Sequence, residues 1–274
     1  MLFCWFRSWI VCFFCLLLNS SLIAQRADSL SFTPGQMSFF DVDRAGNVYT
    51  VFKNKVSCFD AKGILLTTLV FQSWPTVDYV DASSFHTVLC YNQDLSSVYF
   101  SDNKLSRLTD PIKLGEYSLY DLGAITQSHQ ALITVYNNQS QKIEVYDKQL
   151  NKMLESMEAT TFAEVNEKQL QLVESDSYLF LKPNAHCILI FNRQCAFVKR
   201  LDLLDVKCIS AEGDRFVYSD GKDVFLCRTE TSDIHKLVFP NLTGNIRRIV
   251  YRSNCIYTLL DDGIHAFSIK DVNQ

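Results

Sequence analysis

Short apolar runs alternate with turn-forming residues along most of the chain. The arrangement is densest between Phe39 and Gly63, where the sequence reads FFDVDRAGNVYTVFKNKVSCFDAKG. Apolar or alternating runs of this length, each closed by Asp, Asn or Gly, are typical of β-strands joined by tight turns. This stretch and the residues after it predict four consecutive strands with the sequences FFDVD, VYTVF, VSCFD and ILLTTLVF. We therefore expect an all-β fold.

Runs similar to VSCFD recur at regular intervals along the chain. The first ends at Asp60, and the later ones are VYFSD, IEVYD, ILIFN, VFLCR and IHAFS, which end at Asp102, Asp147, Asn192, Arg228 and Ser268. The intervals between these ends are 42, 45, 45, 36 and 40 residues. A period of this size built from short strands is typical of a β-propeller, whose blades are four-stranded antiparallel sheets around a central channel.

The two ends of the chain predict how the ring closes. The sixth unit stops soon after its third strand, at DVNQ, so its fourth strand is missing. An unassigned strand-like segment, SLSFT at 29–33, precedes the first unit. An N-terminal strand that completes the last blade explains both features and removes two open sheet edges. The prediction is a six-bladed propeller, with five or seven blades as alternatives because the later units differ strongly from the first.

The segment DVDRAG also has the acidic residues and the glycine of a calcium-binding loop. However, Ala45 and Phe52 occupy the fifth and twelfth positions, where such a loop needs oxygen ligands, so a calcium loop is excluded. Instead, VDRAGNVYTV resembles the inner-hairpin phrase hDxxGNhYhh, where h is apolar, of six-bladed propellers of the NHL type. This resemblance implies a ring of blades. It does not select an activity, because the family includes both scaffolds and enzymes.

The first residues predict a targeting segment. Arg7 is followed by an apolar run from Trp9 to Leu18 and then by small and polar residues that end at Ala24. This order is typical of a secretory signal peptide, whose apolar core is too short to span a hydrocarbon layer of about 30 Å. We expect residues 1–24 to be removed and 25–274 to form one propeller domain, secreted or periplasmic. An uncleaved N-terminal anchor is the alternative, and no segment of the mature chain reaches transmembrane length.

Charge and cysteine content exclude several classes of partner and site. Of the 26 Lys and Arg residues, only Arg7 lies in 1–24, and 30 Asp and Glu residues oppose the rest, so the mature chain is mildly acidic and nucleic acid is not an expected partner. Seven cysteines follow residue 24 without repeated close spacing, which favours free core thiols over one disulfide or a metal site. Cys195 occupies the position, three residues after a third strand, where other blades have Leu105 and Leu150.

No catalytic or cofactor motif is present in the sequence, so no cofactor, no metal and no catalytic residue is predicted. Propellers commonly bind at one mouth of the channel, where the loops between blades and the loops from second to third strands converge. We expect these loops to contribute the candidate binding residues Trp74, Tyr117, Phe162, His186, Arg247 and Arg248, together with Asp78 near the start of an inner strand. The alternative for each residue is simple packing between neighbouring blades.

Two functions fit these features. The first is a non-catalytic secreted or periplasmic propeller that binds a protein or an envelope component through its channel mouth or rim. The alternative is a metal-dependent hydrolase or lactonase of the six-bladed type, which needs at least three acidic or amide side chains pointing inward at one depth. The predicted inner strands offer Asp41, Asp43, Asp78, Asp81 and Asp121 for such a site, but strand alternation does not tell which of them face the channel.

Overall fold

The computed structural model describes residues 30–32, 37–129, 132–239 and 242–269. Six four-stranded antiparallel sheets form a ring, so the chain is a six-bladed β-propeller, as predicted. Each blade begins with its inner strand, next to the channel, and ends with its outer strand. The proposed signal peptide, residues 1–24, lies outside the described residues.

The first three blades occupy residues 39–155, and the four strands of blade 1 match the prediction. Blade 1 consists of β2 (Phe39–Val42), β3 (Val48–Phe52), β4 (Lys55–Phe59) and β5 (Leu65–Val70). Blade 2 consists of β6 (Tyr79–Asp81), β7 (Thr87–Asn92), β8 (Ser97–Asp102) and β9 (Ile112–Lys113). Blade 3 consists of β10 (Leu122–Gln127), β11 (Ile133–Asn137), β12 (Lys142–Tyr146) and β13 (Lys152–Glu155).

The other three blades complete the ring. Blade 4 consists of β14 (Gln171–Glu174), β15 (Tyr178–Lys182), β16 (Cys187–Asn192) and β17 (Phe197–Asp202). Blade 5 consists of β18 (Cys208–Glu212), β19 (Arg215–Ser219), β20 (Val224–Arg228) and β21 (Ile234–Leu237). Blade 6 consists of β22 (Arg248–Arg252), β23 (Cys255–Leu260), β24 (Gly263–Ser268) and the N-terminal strand β1 (Leu30–Phe32).

The N-terminal strand closes the ring as the sequence predicted. β1 pairs antiparallel with β24, with Leu30 opposite Ala266 and Phe32 opposite Ile264. Three short 3-10 helices lie in the loops between blades, at Leu114–Tyr117, Ala159–Thr161 and Glu167–Gln169. Within the described residues, no helix is long and apolar enough to cross a membrane.

The hydrophobic core consists of six clusters, one between each pair of neighbouring blades. Because a blade contacts a neighbour on each side, its middle strands are buried on both faces, and β16 is buried along CILIF. This explains why many strands read as continuous apolar runs. The seven cysteines after residue 24 are free thiols, and all but Cys255 are fully buried. Cys195 lies in the cluster between blades 3 and 4, in agreement with the prediction that it replaces a core leucine.

The phrase DRAGNVY serves a structural purpose. Asp43 Oδ1 accepts hydrogen bonds from the backbone N–H groups of Ala45 and Asn47, both at 2.9 Å, and Gly46 adopts a φ of 85°. Asp43 Oδ2 accepts from Asn47 Nδ2 at 2.8 Å and from the Tyr49 hydroxyl at 3.1 Å. The carboxylate that resembled a calcium ligand is therefore occupied by the turn that joins β2 to β3.

A second turn repeats in four blades, between the third and fourth strands. In each, a side-chain oxygen at the third-strand end accepts the N–H groups two and four residues later; these residues are Asp60, Asp102, Asp147 and Asn192. The third residue after each has a positive φ: Gly63 at 80°, Leu105 at 61°, Leu150 at 60° and Cys195 at 59°. This shared turn is the physical origin of the period that the sequence shows.

Candidate functional site

The inner strands β2, β6, β10, β14, β18 and β22 line the central channel and run in one direction. We refer to the opening where they begin as the first mouth and to the opening where they end as the second mouth. The loops between blades and the loops from second to third strands lie at the first mouth, because strands alternate in direction within each blade. All seven predicted binding residues belong to this end of the molecule.

A ring of side-chain hydrogen bonds joins neighbouring inner strands around the channel. Asp41 Oδ2 accepts from Ala82 N at 2.7 Å, Asp81 Oδ2 from Gln127 N at 2.8 Å, and Ser210 Oγ from Tyr251 N at 2.9 Å. The remaining bonds, those of Glu174 with His129 N, Gln171 with Ile209 N, and Arg248 with Phe40 O, complete the six joints between blades. The inner strand of a blade has a free edge, so its buried backbone groups need partners. Most polar side chains of the channel supply these partners.

A pocket of about 250 Å³ opens at the first mouth. Blades 3 and 4 supply its apolar wall, through Leu122, Ala124, Ile125, Leu170, Leu172 and Val173. Phe39, Tyr79 and Tyr91 line the opposite side, and Arg248 and Asp78 bring the charged groups. The channel then narrows to cavities of about 20 Å³ at its middle and about 10 Å³ at the second mouth. Among these three cavities of the described channel, the one at the first mouth has room for more than single water molecules.

Gly123 shapes the wall of this pocket. It is the extra residue where the register of β10 against β11 shifts between Leu122 and Ala124, which is a β-bulge. A Cβ atom at Gly123 would lie 2.4 Å from both Leu170 Cδ2 and Asn138 Oδ1. Glycine suits this position because any larger residue would force the Leu170 and Asn138 side chains to move.

Arg248 is fixed in position but retains free donors. Its Nε donates to Phe40 O at 2.7 Å, and its guanidinium carbon lies 3.5 Å from the centroid of the Phe39 ring. The side chain is half-buried, and burial lowers the pKa of the guanidinium. It remains charged nevertheless, because arginine titrates far above neutral pH. Neither Nη1 nor Nη2 has an acceptor among the described residues, and no carboxylate there lies within 4.0 Å.

The second mouth is closed by side chains. Arg44 of blade 1 reaches across the opening to blade 4, where its Nη2 lies 2.9 Å from Asp176 Oδ1. The same nitrogen is 3.5 Å from His129 Nε2 of blade 3. Glu174, beneath them, accepts from His129 N at 2.9 Å and from the Thr134 hydroxyl at 2.6 Å. This end of the channel is a network of charged and polar side chains with little free space.

The predicted binding residues separate into two groups. Asp78 and Arg248 line the first-mouth pocket. Trp74 is buried and stacks on Phe71 with 4.4 Å between ring centroids, and Phe162 stacks on Phe197 at 3.8 Å, so both pack between or within blades. Tyr117, His186 and Arg247 are exposed and do not line the pocket.

The five aspartates considered for a metal site have other partners. Asp41 and Asp81 face the channel, where each accepts a backbone N–H, and burial raises the pKa of Asp41. Asp43 holds its turn, Asp78 accepts from Gln93 N at 2.8 Å, and Asp121 accepts from Asn138 Nδ2 at 2.8 Å. Across the described part of the chain, no group of three His, Cys, Asp or Glu side chains is arranged to hold a metal ion.

Several residues of the pocket could not be identified from the sequence. Phe39, Tyr79, Leu172 and Ile209 lie in inner strands, and their assignment requires knowing which strand face meets the channel. A usable signal was their position at or near the start of inner strands, which is also what selected Asp78, whereas Arg248 was selected as a residue of the converging loops. Alternation alone does not choose between the two faces of a strand that is buried on both.

Comparisons with known proteins agree with the fold. No family model matches the sequence, and no curated protein matches it. Among solved structures, a streptogramin B lyase is similar, with a TM-score of 0.64, 10% identity, and 92% of this chain and 100% of that chain covered. The β-propeller domain of Myceliophteria thermophila Cps50 (Swd1) has a TM-score of 0.63 and 10% identity, with 88% of this chain and 98% of that domain covered. BamB from Moraxella catarrhalis has a TM-score of 0.50 and 12% identity, with 92% of each chain covered. At such identities the likeness shows the propeller fold alone.

Proposed function

We propose that this chain is a non-catalytic secreted or periplasmic propeller that binds a protein partner at the first mouth of its channel. The pocket of about 250 Å³, with a fixed arginine whose Nη atoms are free, is the observation that carries this proposal. Binding sites are typically apolar concavities with a few placed polar groups, and this pocket has that composition. The solved structures of similar fold include both an enzyme and proteins that are not named as enzymes, so they favour neither class.

The state of the channel carboxylates supports binding rather than catalysis. Asp81 accepts three hydrogen bonds, from Ser83 N, Gln127 N and the Thr126 hydroxyl, and Glu174 accepts from His129 N and the Thr134 hydroxyl. These hydrogen bonds give both carboxylates a structural role at the joints between blades, although neither carboxylate has all of its acceptor sites occupied. The alternative hydrolase hypothesis would require them to serve a second role at the same positions.

Site-specific photo-cross-linking tests the proposed binding face. A benzophenone amino acid replaces Gln93, an exposed residue of the first-mouth pocket, or Asp214, an exposed residue at the second-mouth end, in cells that make the protein. We expect a discrete cross-linked protein band from position 93 and none from position 214. A band from position 214 alone, or bands of equal intensity from both, contradicts the proposal.

The compartment is tested on the same cells. We expect the mature protein to begin at Gln25 and to be recovered from the periplasm or the medium, as measured by fractionation and N-terminal mass spectrometry. A full-length chain that begins at Met1 and stays with the cytoplasmic fraction contradicts this part of the proposal.

A further inference from the structure

The first-mouth pocket contains a receptor for one particular chemical group. Resting on the function proposed above, we infer that it takes the C-terminal residue of a partner polypeptide, with the α-carboxylate on Arg248 and an apolar side chain against the wall of blades 3 and 4. The inference depends on the free donors of Arg248, on the absence of any carboxylate within 4.0 Å of it among the described residues, and on the size of the pocket.

The geometry of Arg248 suits a carboxylate. Its Nε is already used by Phe40 O at 2.7 Å, and the Phe39 ring supports one face of the guanidinium at 3.5 Å. The orientation of the side chain is thus set before a ligand arrives, which lowers the entropic cost of binding. The two Nη atoms form the fork that pairs with both oxygens of a carboxylate.

The protein itself leaves this positive charge without a close partner. Asp81 accepts three hydrogen bonds from other groups, and Asp41 accepts one from Ala82 N while burial raises its pKa, which disfavours its charged form. Both aspartates act on Arg248 through space without contacting it. No carboxylate of the described residues reaches within 4.0 Å of Arg248, whereas Arg44 at the second mouth has Asp176 at 2.9 Å. An anionic ligand would therefore supply the direct contact to Arg248 that the carboxylates of the described residues do not make.

The size and lining of the pocket indicate a chain end. A volume of about 250 Å³ is below the range of roughly 300–1,000 Å³ typical of sites for whole small-molecule ligands, so it suits one side chain. Only a terminal residue carries a carboxylate and an apolar side chain on the same Cα atom, so both groups can reach the pocket while the rest of the chain leaves through the mouth. An internal Asp or Glu would bring a charge but no apolar group.

Titration calorimetry with defined peptides tests the inference. The probe is acetyl-Gly-Ser-Gly-Ser-Gly-Phe with a free C-terminal carboxylate, and the comparison peptide has the same sequence with a C-terminal amide. We expect the acid to bind at least about tenfold more tightly than the amide, because paired hydrogen bonds to a charged group are lost in the amide. Arg248→Gln should remove this preference. Arg247→Gln should keep it, since it removes the same charge from the exposed neighbouring residue outside the pocket.

A second variant protects the test against misfolding. Arg248→Gln also breaks the hydrogen bond to Phe40 O that links blades 6 and 1, so its thermal unfolding is measured in parallel. Phe39→Leu leaves that hydrogen bond in place and removes only the ring beneath the guanidinium. It should weaken binding of the acid peptide about threefold while leaving the acid still preferred over the amide.

Each other outcome overturns the inference in a distinct way. Equal affinity for acid and amide rejects the carboxylate but leaves the proposed binding face standing, which is judged by the cross-links at position 93. Binding of 3-phenylpropanoate as tight as that of the acid peptide rejects a chain end in favour of a small carboxylic acid. An absence of saturable binding by either peptide up to about 5 mM, beyond the weakest specific range, rejects the inference altogether.

Discussion

Arg248 and Arg252 lie at the two ends of one strand, β22, and point into opposite parts of the same channel. At the second mouth, Arg252 is 7% exposed and donates its Nη1 to the carbonyl oxygens of Ala211 and Tyr251 at 2.8 and 2.9 Å. At the first mouth, Arg248 makes one hydrogen bond and keeps both Nη atoms free beside a pocket. Arg252 also keeps a donor without a protein partner, since its Nε is buried and unpaired, but the cavities beside it hold only about 10 and 20 Å³. The difference teaches that free donors of a charged side chain in a propeller channel indicate a binding site only where a cavity large enough for a ligand lies beside them.

The largest effect on the free energy of unfolding is expected at Glu174, which lies at the second mouth. Glu174→Ala removes the acceptor of His129 N and of the Thr134 hydroxyl, and it leaves buried donors unsatisfied. We expect the free energy of unfolding to fall by about 3 kcal/mol, as measured by urea denaturation. Asp176→Ala, at an exposed position of the same mouth, is the control and should cost less than about 1 kcal/mol. Equal costs at the two positions would show that the second mouth is not the buried network described above.

Lys182 ends β15 at the first mouth, and its substitution tests how this end of the molecule is stabilised. Its buried Nζ donates to Gln169 O, and burial lowers its pKa from 10.5 to about 8. This decrease corresponds to a cost of about 3 kcal/mol for burying the charged lysine, and the hydrogen bond to Gln169 O offsets about 1 kcal/mol of that cost. Lys182→Met should therefore stabilise the protein by about 2 kcal/mol at pH 7. The exposed Lys168→Met is the control and should change little.

The pH dependence of this stabilisation has a definite sign. Between pH 8 and 10.5 the unfolded chain binds the Lys182 proton while the folded protein has released it, so wild-type stability rises with pH in that window relative to Lys182→Met. Urea denaturation at a series of pH values measures the difference. If the difference in unfolding free energy between wild type and Lys182→Met stays constant up to pH 10.5, the pKa of Lys182 is not lowered in the folded protein.

Gly123 distinguishes a change in the pocket wall from a change elsewhere in the ring. Gly123→Ala places a methyl group against Leu170 and Asn138, and we expect a loss of about 2 kcal/mol together with weaker peptide binding at the first mouth. The matched substitution is Gly213→Ala at the second mouth, where an added Cβ has no other atom within 4 Å. The only cost there is the positive backbone φ of 61°. It should cost about 1 kcal/mol and leave peptide affinity unchanged. Thermal unfolding and calorimetry of both variants provide the comparison.

The smallest effect is expected from opening the second mouth. Arg44→Gln breaks the ion pair with Asp176, whose two side chains are 31% and 48% exposed. Exposed pairs contribute little, so the unfolding free energy should fall by about 0.5 kcal/mol and peptide binding should not change. A clear loss of peptide affinity in Arg44→Gln would show that the peptide binds at the second mouth, which contradicts the proposed site.

The sequence predicted the ring well because its information is local. The turn at Asp43 and the four turns after Asp60, Asp102, Asp147 and Asn192 each use a side chain within a few residues of the backbone it holds. The chain ends also predicted the closing strand, since a missing fourth strand and an unassigned strand complement each other. These features need no knowledge of contacts between blades.

The site was only partly predictable because its contacts join blades that are about 40 residues apart. Asp78 was identified by its position near an inner-strand start and Arg248 as a residue of the converging loops, whereas Phe39 and Tyr79 required the face of each strand to be known. Trp74 was chosen as an aromatic residue in a loop at the first-mouth end, yet its ring packs on Phe71 in the core. Loop membership gives the end of the channel at which a residue lies but does not tell whether its side chain turns inward.

A crystal structure of residues 25–274 with the acid peptide tests the central claim most directly. We predict the terminal carboxylate on Nη1 and Nη2 of Arg248, the phenylalanine ring against Leu170 and Leu172, and the second mouth still closed by Arg44 and Asp176. A peptide bound at the second mouth would contradict the account. An Arg248 guanidinium paired with Asp41 across a collapsed first-mouth pocket would contradict it equally.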